Sequence, residues 1–158
     1  MSDTASAQNA AISIVPVSTP DEWIAFHAIR RAVLWEARGR SDYDESHPDD
    51  RLPNHYPLLL YTGAIAAGVL RLDILEDRNT AAIRRLAVIP VMQKKGLGTK
   101  LIKHAEVLAA DRTCVRIIAR VARDAQSFWE KNGYAPEPEE TPDASQNPLL
   151  SKQVTAAR

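Results

Sequence analysis

A single cysteine, Cys114, rules out an intrachain disulfide and speaks against a cysteine-based zinc cluster, which needs at least two thiolates. Net charge is also missing: twenty basic residues balance twenty acidic ones. Nucleic-acid binders usually carry an overall basic field, so none is expected here as a partner. No apolar run approaches the roughly 18–20 residues of a membrane-spanning helix. The opening MSDTASAQNA lacks the basic and apolar parts of a secretory signal, so the expected setting is a reducing cytoplasm, with no membrane partner. The 158 residues suit one domain with a sizeable core. Residues 1–10 read as a flexible terminus and 11–158 as the domain.

What is present falls into regular elements. Ile12–Val17 reads as a first strand. Thr19-Pro20-Asp21-Glu22 carries an N-cap threonine, a proline at the first helical position and the glutamate of a capping box. Trp23, Phe26, Arg30, Val33 and Leu34 then recur at helical spacing, predicting a helix to about Ala37 that Gly39 ends. Residues 39–57 form a polar loop with three prolines, five acidic residues and two histidines. Long loops inside compact domains tend to be functional. Leu58–Thr62, Ile65–Asp73 and Ala81–Ile89 predict three antiparallel strands. A helix is expected after Gly98, a strand over Cys114–Val121, a short helix over Asp124–Asn132, a loop over 135–148 and a last strand over Leu149–Val154. One parallel crossover around Gly96 within an otherwise antiparallel arrangement predicts an α/β (α+β) fold. Its sheet is mixed, mostly antiparallel and six- to seven-stranded, with helices on both faces. The last strand is the kind of edge that could pair across a homodimer; monomer and homodimer both stay open.

The chemistry centres on Arg85–Leu108, where a strand feeds Gln93-Lys94-Lys95-Gly96-Leu97-Gly98 and then a helix. Unpaired amides at the positive end of a helix suit a phosphate. The mononucleotide loop needs a first glycine that is absent, and the dinucleotide fingerprint needs a third glycine where Leu101 stands. The pattern Gln-x-x-Gly-x-Gly fits a third template. With the preceding Leu86-Ala87-Val88, Pro90, and the later Ala125-x-x-Phe128-Trp129-Glu130-Lys131-x-Gly133-Tyr134, the chain resembles the GNAT superfamily of N-acetyltransferases over nearly all its length.

The resemblance implies acetyl-CoA as co-substrate, with amides from Lys94 through Thr99 on its pyrophosphate. The residues expected at the cofactor are Leu86, Ala87, Val88, Gln93, Lys94, Lys95, Gly96, Leu97, Gly98, Thr99 and Phe128. The backbone of Leu86–Val88 would pair with pantetheine where the strand splays from the next parallel one, and an N–H near Leu86 would serve as oxyanion donor. Expected activity is acetyl transfer to a primary amine, on a small molecule or peptide, by direct attack in a ternary complex. An acyl-CoA sensor with little turnover is the alternative. Many members carry a tyrosine where Trp129 stands; indole is no proton source. Some have an asparagine where Ala122 stands, and a glutamate where Ile117 stands. Catalytic candidates are therefore sought elsewhere: Tyr134, Glu36, His47 and His55. Asp42, Asp44, Glu45, Asp49 and Asp50 could attract a cationic amine, and charged Asp73 and Glu76 end the third strand. The histidines are not spaced as a zinc site, and no metal is expected.

Overall fold

The computed structural model describes residues 10–139, 143 and 145–155. The terminus expected to be flexible lies almost wholly outside them. Its strands form one seven-stranded sheet in the order β1-β2-β3-β4-β5-β7-β6. They are β1 (Ile12–Pro16), β2 (His55–Thr62), β3 (Ile65–Ile74), β4 (Thr80–Val88), β5 (Arg116–Arg120), β6 (Ala135–Pro136) and β7 (Leu149–Gln153). The helices are α1 (Pro20–Arg30), α2 (Leu97–Asp111) and α3 (Gln126–Lys131). β1 runs antiparallel to β2, and β7 antiparallel to both β5 and β6. β4 and β5 are parallel, joined through α2. This is the mixed, mostly antiparallel sheet expected, with one strand, β6, that the sequence did not announce. Because β6 pairs with Leu150 and Ser151, β7 lies inside the sheet there, which corrects its reading as an open edge.

Two compact units make up the chain. Among the described residues, one unit holds those up to Arg71 together with Arg85–His104; the other holds Leu72–Arg84 and those from Ala105 onward. In the first unit Val17, Phe26, Ile29, Leu59, Val69 and Ala87 form a buried cluster between α1 and the strands. Neighbouring strand residues face opposite sides. Next to Val69, Gly68 therefore meets the other layer: a Cβ there would stand 2.9 Å from Leu101 Cδ1 of α2. Helices thus cover both faces of this part of the sheet. In the second unit Cys114, Ile117, Ala119, Trp129, Tyr134 and Leu150 are buried, so Cys114 is a core residue.

α1 begins as its sequence requires. Thr19 accepts from the Glu22 amide at 3.2 Å, and Glu22 accepts from the Thr19 and Ser18 amides at 2.9 Å each. Thr19→Ala should lower stability by about 1 kcal/mol, read as a lower urea midpoint at unchanged slope. The helix ends differently from expectation. After Arg30 it widens into a π-turn, Arg31–Trp35, and then a 3₁₀ turn, Glu36–Arg38. Trp35 stands nine residues after Phe26, about 180° away at 100° per residue, so a regular helix would expose it. The wider turn rotates more slowly and swings Trp35 inward, to 8% exposure.

Candidate active site

The loop after β4 is built to leave amides open. Pro90–Met92 makes a single 3₁₀ turn, and Gln93 turns back so that its Nε2 donates to Val88 O at 2.8 Å. Gln93 therefore braces the loop against β4. Lys94 and Gly96 both take left-handed conformations, at φ 65° and 82°, with Lys95 between them. Alternation of this kind gathers successive N–H groups into a concave nest that suits an anion. Among the described residues no acceptor meets the amides of Lys94, Lys95, Gly96, Leu97, Gly98 or Thr99; the next, Lys100 N, donates to Gly96 O at 3.1 Å. A Cβ on Gly96 would meet nothing within 4 Å, so the space beside it is open to a ligand. These six amides head a fifteen-residue helix whose dipole adds to their pull on negative charge. Leu97 is buried and anchors the first turn, while Lys94, Lys95 and Lys100 are exposed beside it.

β4 carries a second local feature. Leu75 N donates to Thr80 O at one end of the β3–β4 hairpin, and Ile89 N donates to Ala67 O at the other. The two pairings differ in register by one residue, so β4 holds one extra residue between them. Arg85, at φ 62°, sits in that interval as a left-handed residue within the strand. An extra left-handed residue is the signature of a β-bulge, which bends a strand and increases its twist. The parallel ladder between β4 and β5 pairs Thr80–Ile83 with Arg116–Ala119, and the last residues of β4 run on past it. Leu86, Ala87 and Val88 form that continuation.

The candidates for proton transfer fall in different places. Tyr134 is 2% exposed, and its hydroxyl donates to Glu106 Oε2 at 2.9 Å. Lys152 Nζ donates to the same carboxylate at 3.0 Å. Burial, with the Glu106 carboxylate beside it, pushes the Tyr134 phenol far above its ordinary range. That placement is structural and argues against a proton donor. Tyr134→Phe should cost about 1 kcal/mol of stability, measured by denaturant melts, and leave turnover within twofold. Trp129 is buried against Tyr134, with ring centroids 5.0 Å apart, and Phe128 is half-buried on α3. Glu36 is exposed in the 3₁₀ turn. His47 is exposed and caps the Pro48–Arg51 turn, its Nδ1 accepting from Asp49 N at 3.1 Å. His55 opens β2 with Nδ1 2.6 Å from the Asp49 carbonyl oxygen. A carbonyl only accepts, so Nδ1 carries the proton and Nε2 is the basic nitrogen of the neutral ring.

The acidic loop does not present the free charge its composition suggests. Asp50 is 3% exposed and accepts from both Arg30 and Arg71 at 2.8 Å. Glu45 pairs with Arg31 at 2.8 Å, and Asp42 with Arg40 at 3.3 Å. Asp44 accepts from the amide and hydroxyl of Ser46, and Asp49 lies 3.9 Å from His47. The expected attraction for a cationic amine is corrected accordingly, because arginines answer most of these carboxylates. Asp73 is likewise buried, with Arg84 3.4 Å away, while Glu76 is exposed.

Sequence reasoning missed an arginine–aromatic chain in the first unit. Arg85 lies 5.0 Å from the Trp35 ring, and the Trp35 and Tyr43 rings meet edge to face at 4.7 Å. Tyr43 OH is 2.5 Å from His27 Nδ1, and His27 stacks on Trp23 at 5.5 Å. Burial lowers the His27 pKa against the opposing influence of Asp50. Helical spacing marked Trp23, but no sequence pattern links position 85 to position 35. Among the described residues no group of three or more histidine, cysteine, aspartate or glutamate side chains could hold a metal, and no helix is long and apolar enough to cross a membrane.

Comparison with known proteins agrees with this geometry. The model of the acetyltransferase (GNAT) family matches residues 21–134. A candidate N-acetyltransferase from Lactobacillus plantarum is 25% identical, with a TM-score of 0.77 over 91% of this chain and 99% of that one. An acyl-CoA N-acyltransferase from Pseudomonas aeruginosa gives 17% identity and a TM-score of 0.74 over 91% and 99%. The ribosomal-protein-S18-alanine N-acetyltransferase from Escherichia coli gives 15% and 0.71 over 94% and 97%. The last two likenesses speak for the fold. With the family model spanning most of the chain, this protein belongs to the GNAT acetyltransferase family, whose members transfer acyl groups from acyl-CoA.

Proposed function

We propose that the chain is a cytoplasmic N-acetyltransferase, acting as one domain over residues 11–158, that moves acetyl from acetyl-CoA to a primary amine on a small molecule or peptide. The observation that carries this reading is the run of six acceptor-free amides from Lys94 to Thr99 at the head of α2. The pyrophosphate of coenzyme A needs several converging donors and little side-chain bulk, and Gly96 and Gly98 supply the second condition. Leu86, Ala87 and Val88 then offer their backbone to pantetheine, with an amide near Leu86 stabilising the carbonyl oxygen during attack. Phe128 is assigned to the cofactor side by the family resemblance. Direct attack by the amine needs no protein nucleophile. It needs the amine deprotonated, and His55 is the histidine we assign to that role, since its Nδ1 proton is held by the Asp49 carbonyl while the His47 Nδ1 serves as a cap.

One observation favours the second reading, an acyl-CoA sensor with little turnover. Trp129 is buried and the Tyr134 hydroxyl is held by Glu106, so neither supplies a proton to the departing thiolate. Release of free CoA thiol, measured across a panel of amines, amino acids and peptide N-termini, separates the two. The enzyme reading expects acceptor-dependent release with at least one class; release no faster than acetyl-CoA hydrolysis across the whole panel supports the sensor.

A further inference from the structure

Arg85 is an unusual residue for its place. It is not glycine, yet it occupies a left-handed backbone conformation in the interior of a strand. Such a residue persists only where its surroundings hold it, and backbone outliers of this kind cluster at functional sites. Its surroundings are visible here. The Arg85 guanidinium lies 5.0 Å from the ring of Trp35, which the π-turn after α1 has brought to 8% exposure. Trp35 is itself packed edge to face on Tyr43, with Arg40 4.8 Å from its ring. Two irregular backbone features, a bulge in β4 and a π-turn after α1, are therefore tied together by one cation–π contact.

We propose that Arg85 and Trp35 are positioning residues for the acyl-CoA pantetheine. This rests on the N-acetyltransferase reading above and adds a new element to it. The residue after Arg85 is Leu86, the first of three whose main-chain groups would meet the pantetheine amides and the thioester. A bulge re-aims the strand that follows it. Fixing the Arg85 side chain on the Trp35 ring fixes the angle at which Leu86–Val88 leave the bulge. Neither side chain touches the substrate; both act through the backbone. The Lys94–Thr99 amides are held separately, by Gln93 and α2, so the contact should matter for pantetheine and not for the diphosphate.

The test compares two ligands by calorimetry: acetyl-CoA, and ADP, which has a diphosphate but no pantetheine. Arg85→Ala should weaken acetyl-CoA binding about fivefold, the effect of losing a moderately exposed cation–π contact. ADP affinity should stay within twofold. Arg85→Lys, which keeps a cation over the ring, should restore acetyl-CoA affinity to within twofold of the unaltered protein. Trp35→Leu should reproduce the acetyl-CoA loss, and adding Arg85→Ala to it should weaken binding no further. Thermal melts of each variant select those that are folded, and the exposed Arg85 supplies the pair of variants least able to disturb the core. Acetyl-CoA affinity within twofold of normal in folded Arg85→Ala overturns the proposal, as does an equal loss for ADP. Failure of the unaltered protein to bind acetyl-CoA would instead overturn the reading beneath it.

Discussion

Gly98→Trp should weaken acetyl-CoA binding by about a hundredfold or more while the protein stays folded. Gly98 is the second residue of α2, where the amides of Lys94–Thr99 converge without acceptors. A tryptophan side chain there would occupy the space a pyrophosphate needs. Hydrogen bonds to charged groups are worth roughly 1.5–3 kcal/mol each. Losing two of them amounts to about 3 kcal/mol or more, on the order of a hundredfold in affinity. Gly98 is partly exposed and helical, and tryptophan has a better helix propensity than glycine, so the melting temperature should hardly move. Isothermal calorimetry with a parallel thermal melt checks both halves. Unchanged affinity in a folded variant would mean that the phosphate does not sit on this loop. Gly96→Ala makes a contrast. Its added methyl meets nothing, but at φ 82° it is strained, so that variant should lose stability as well as affinity.

Asp50→Ala should cost about 3–5 kcal/mol of stability, the range for breaking a buried ion pair by removing one partner. The carboxylate is almost fully enclosed and accepts from Arg30 and Arg71, so its loss leaves two guanidiniums facing one another without it. Arg30 would keep its contact with the Phe26 ring, 4.3 Å away, but lose the carboxylate that answers its charge. Burial works against ionised Asp50 and is the largest single influence on it. The two arginines together outweigh that penalty and hold its carboxyl below the ordinary range. The sign of the pH dependence follows. A carboxyl whose folded pKa is depressed contributes stability that is fully present above its unfolded value, about 3.9, and is lost as pH falls through the folded value. Urea melts between pH 3 and pH 7 should therefore show the unaltered protein losing in acid a contribution that Asp50→Ala lacks at every pH. A variant as stable as the original at neutral pH would show that this triad holds nothing together.

Local chemistry was legible in the sequence where the cause is local. The Thr19-to-Glu22 capping box needs only four consecutive residues, and it forms as written. The glycine loop was legible because backbone approach imposes its own spacing. The parallel crossover followed from strand, loop and helix in succession. Features set by distant partners were not legible. Nothing in Arg84-Arg85-Leu86 announces a bulge, because a bulge is a mismatch between two strands and is invisible in either one. The π-turn over Arg31–Trp35 serves the burial of Trp35, whose neighbours include Arg85, fifty positions away. Asp50 looks like its acidic neighbours in the loop, and only Arg30 and Arg71 make it different. Tyr134 belongs here too: its position in the motif suits either a packing ring or an acid, and the partners that hold its hydroxyl, Glu106 with Lys152 beside it, come from distant parts of the chain.

The central claim is that the strand, loop and helix from Leu86 to Asp111 form a coenzyme A site. It is tested most directly by calorimetric titration of the unaltered protein with acetyl-CoA, with dephospho-CoA and NAD as controls. The account predicts saturable binding of one acetyl-CoA per chain at micromolar to submillimolar concentration, on the order of typical enzyme KM values. Dephospho-CoA should bind measurably, since it keeps the pyrophosphate and pantetheine, and NAD should bind far more weakly because it has no pantetheine for Leu86–Val88. Absence of acetyl-CoA binding at millimolar concentration, or NAD binding as tight as acetyl-CoA, would contradict it.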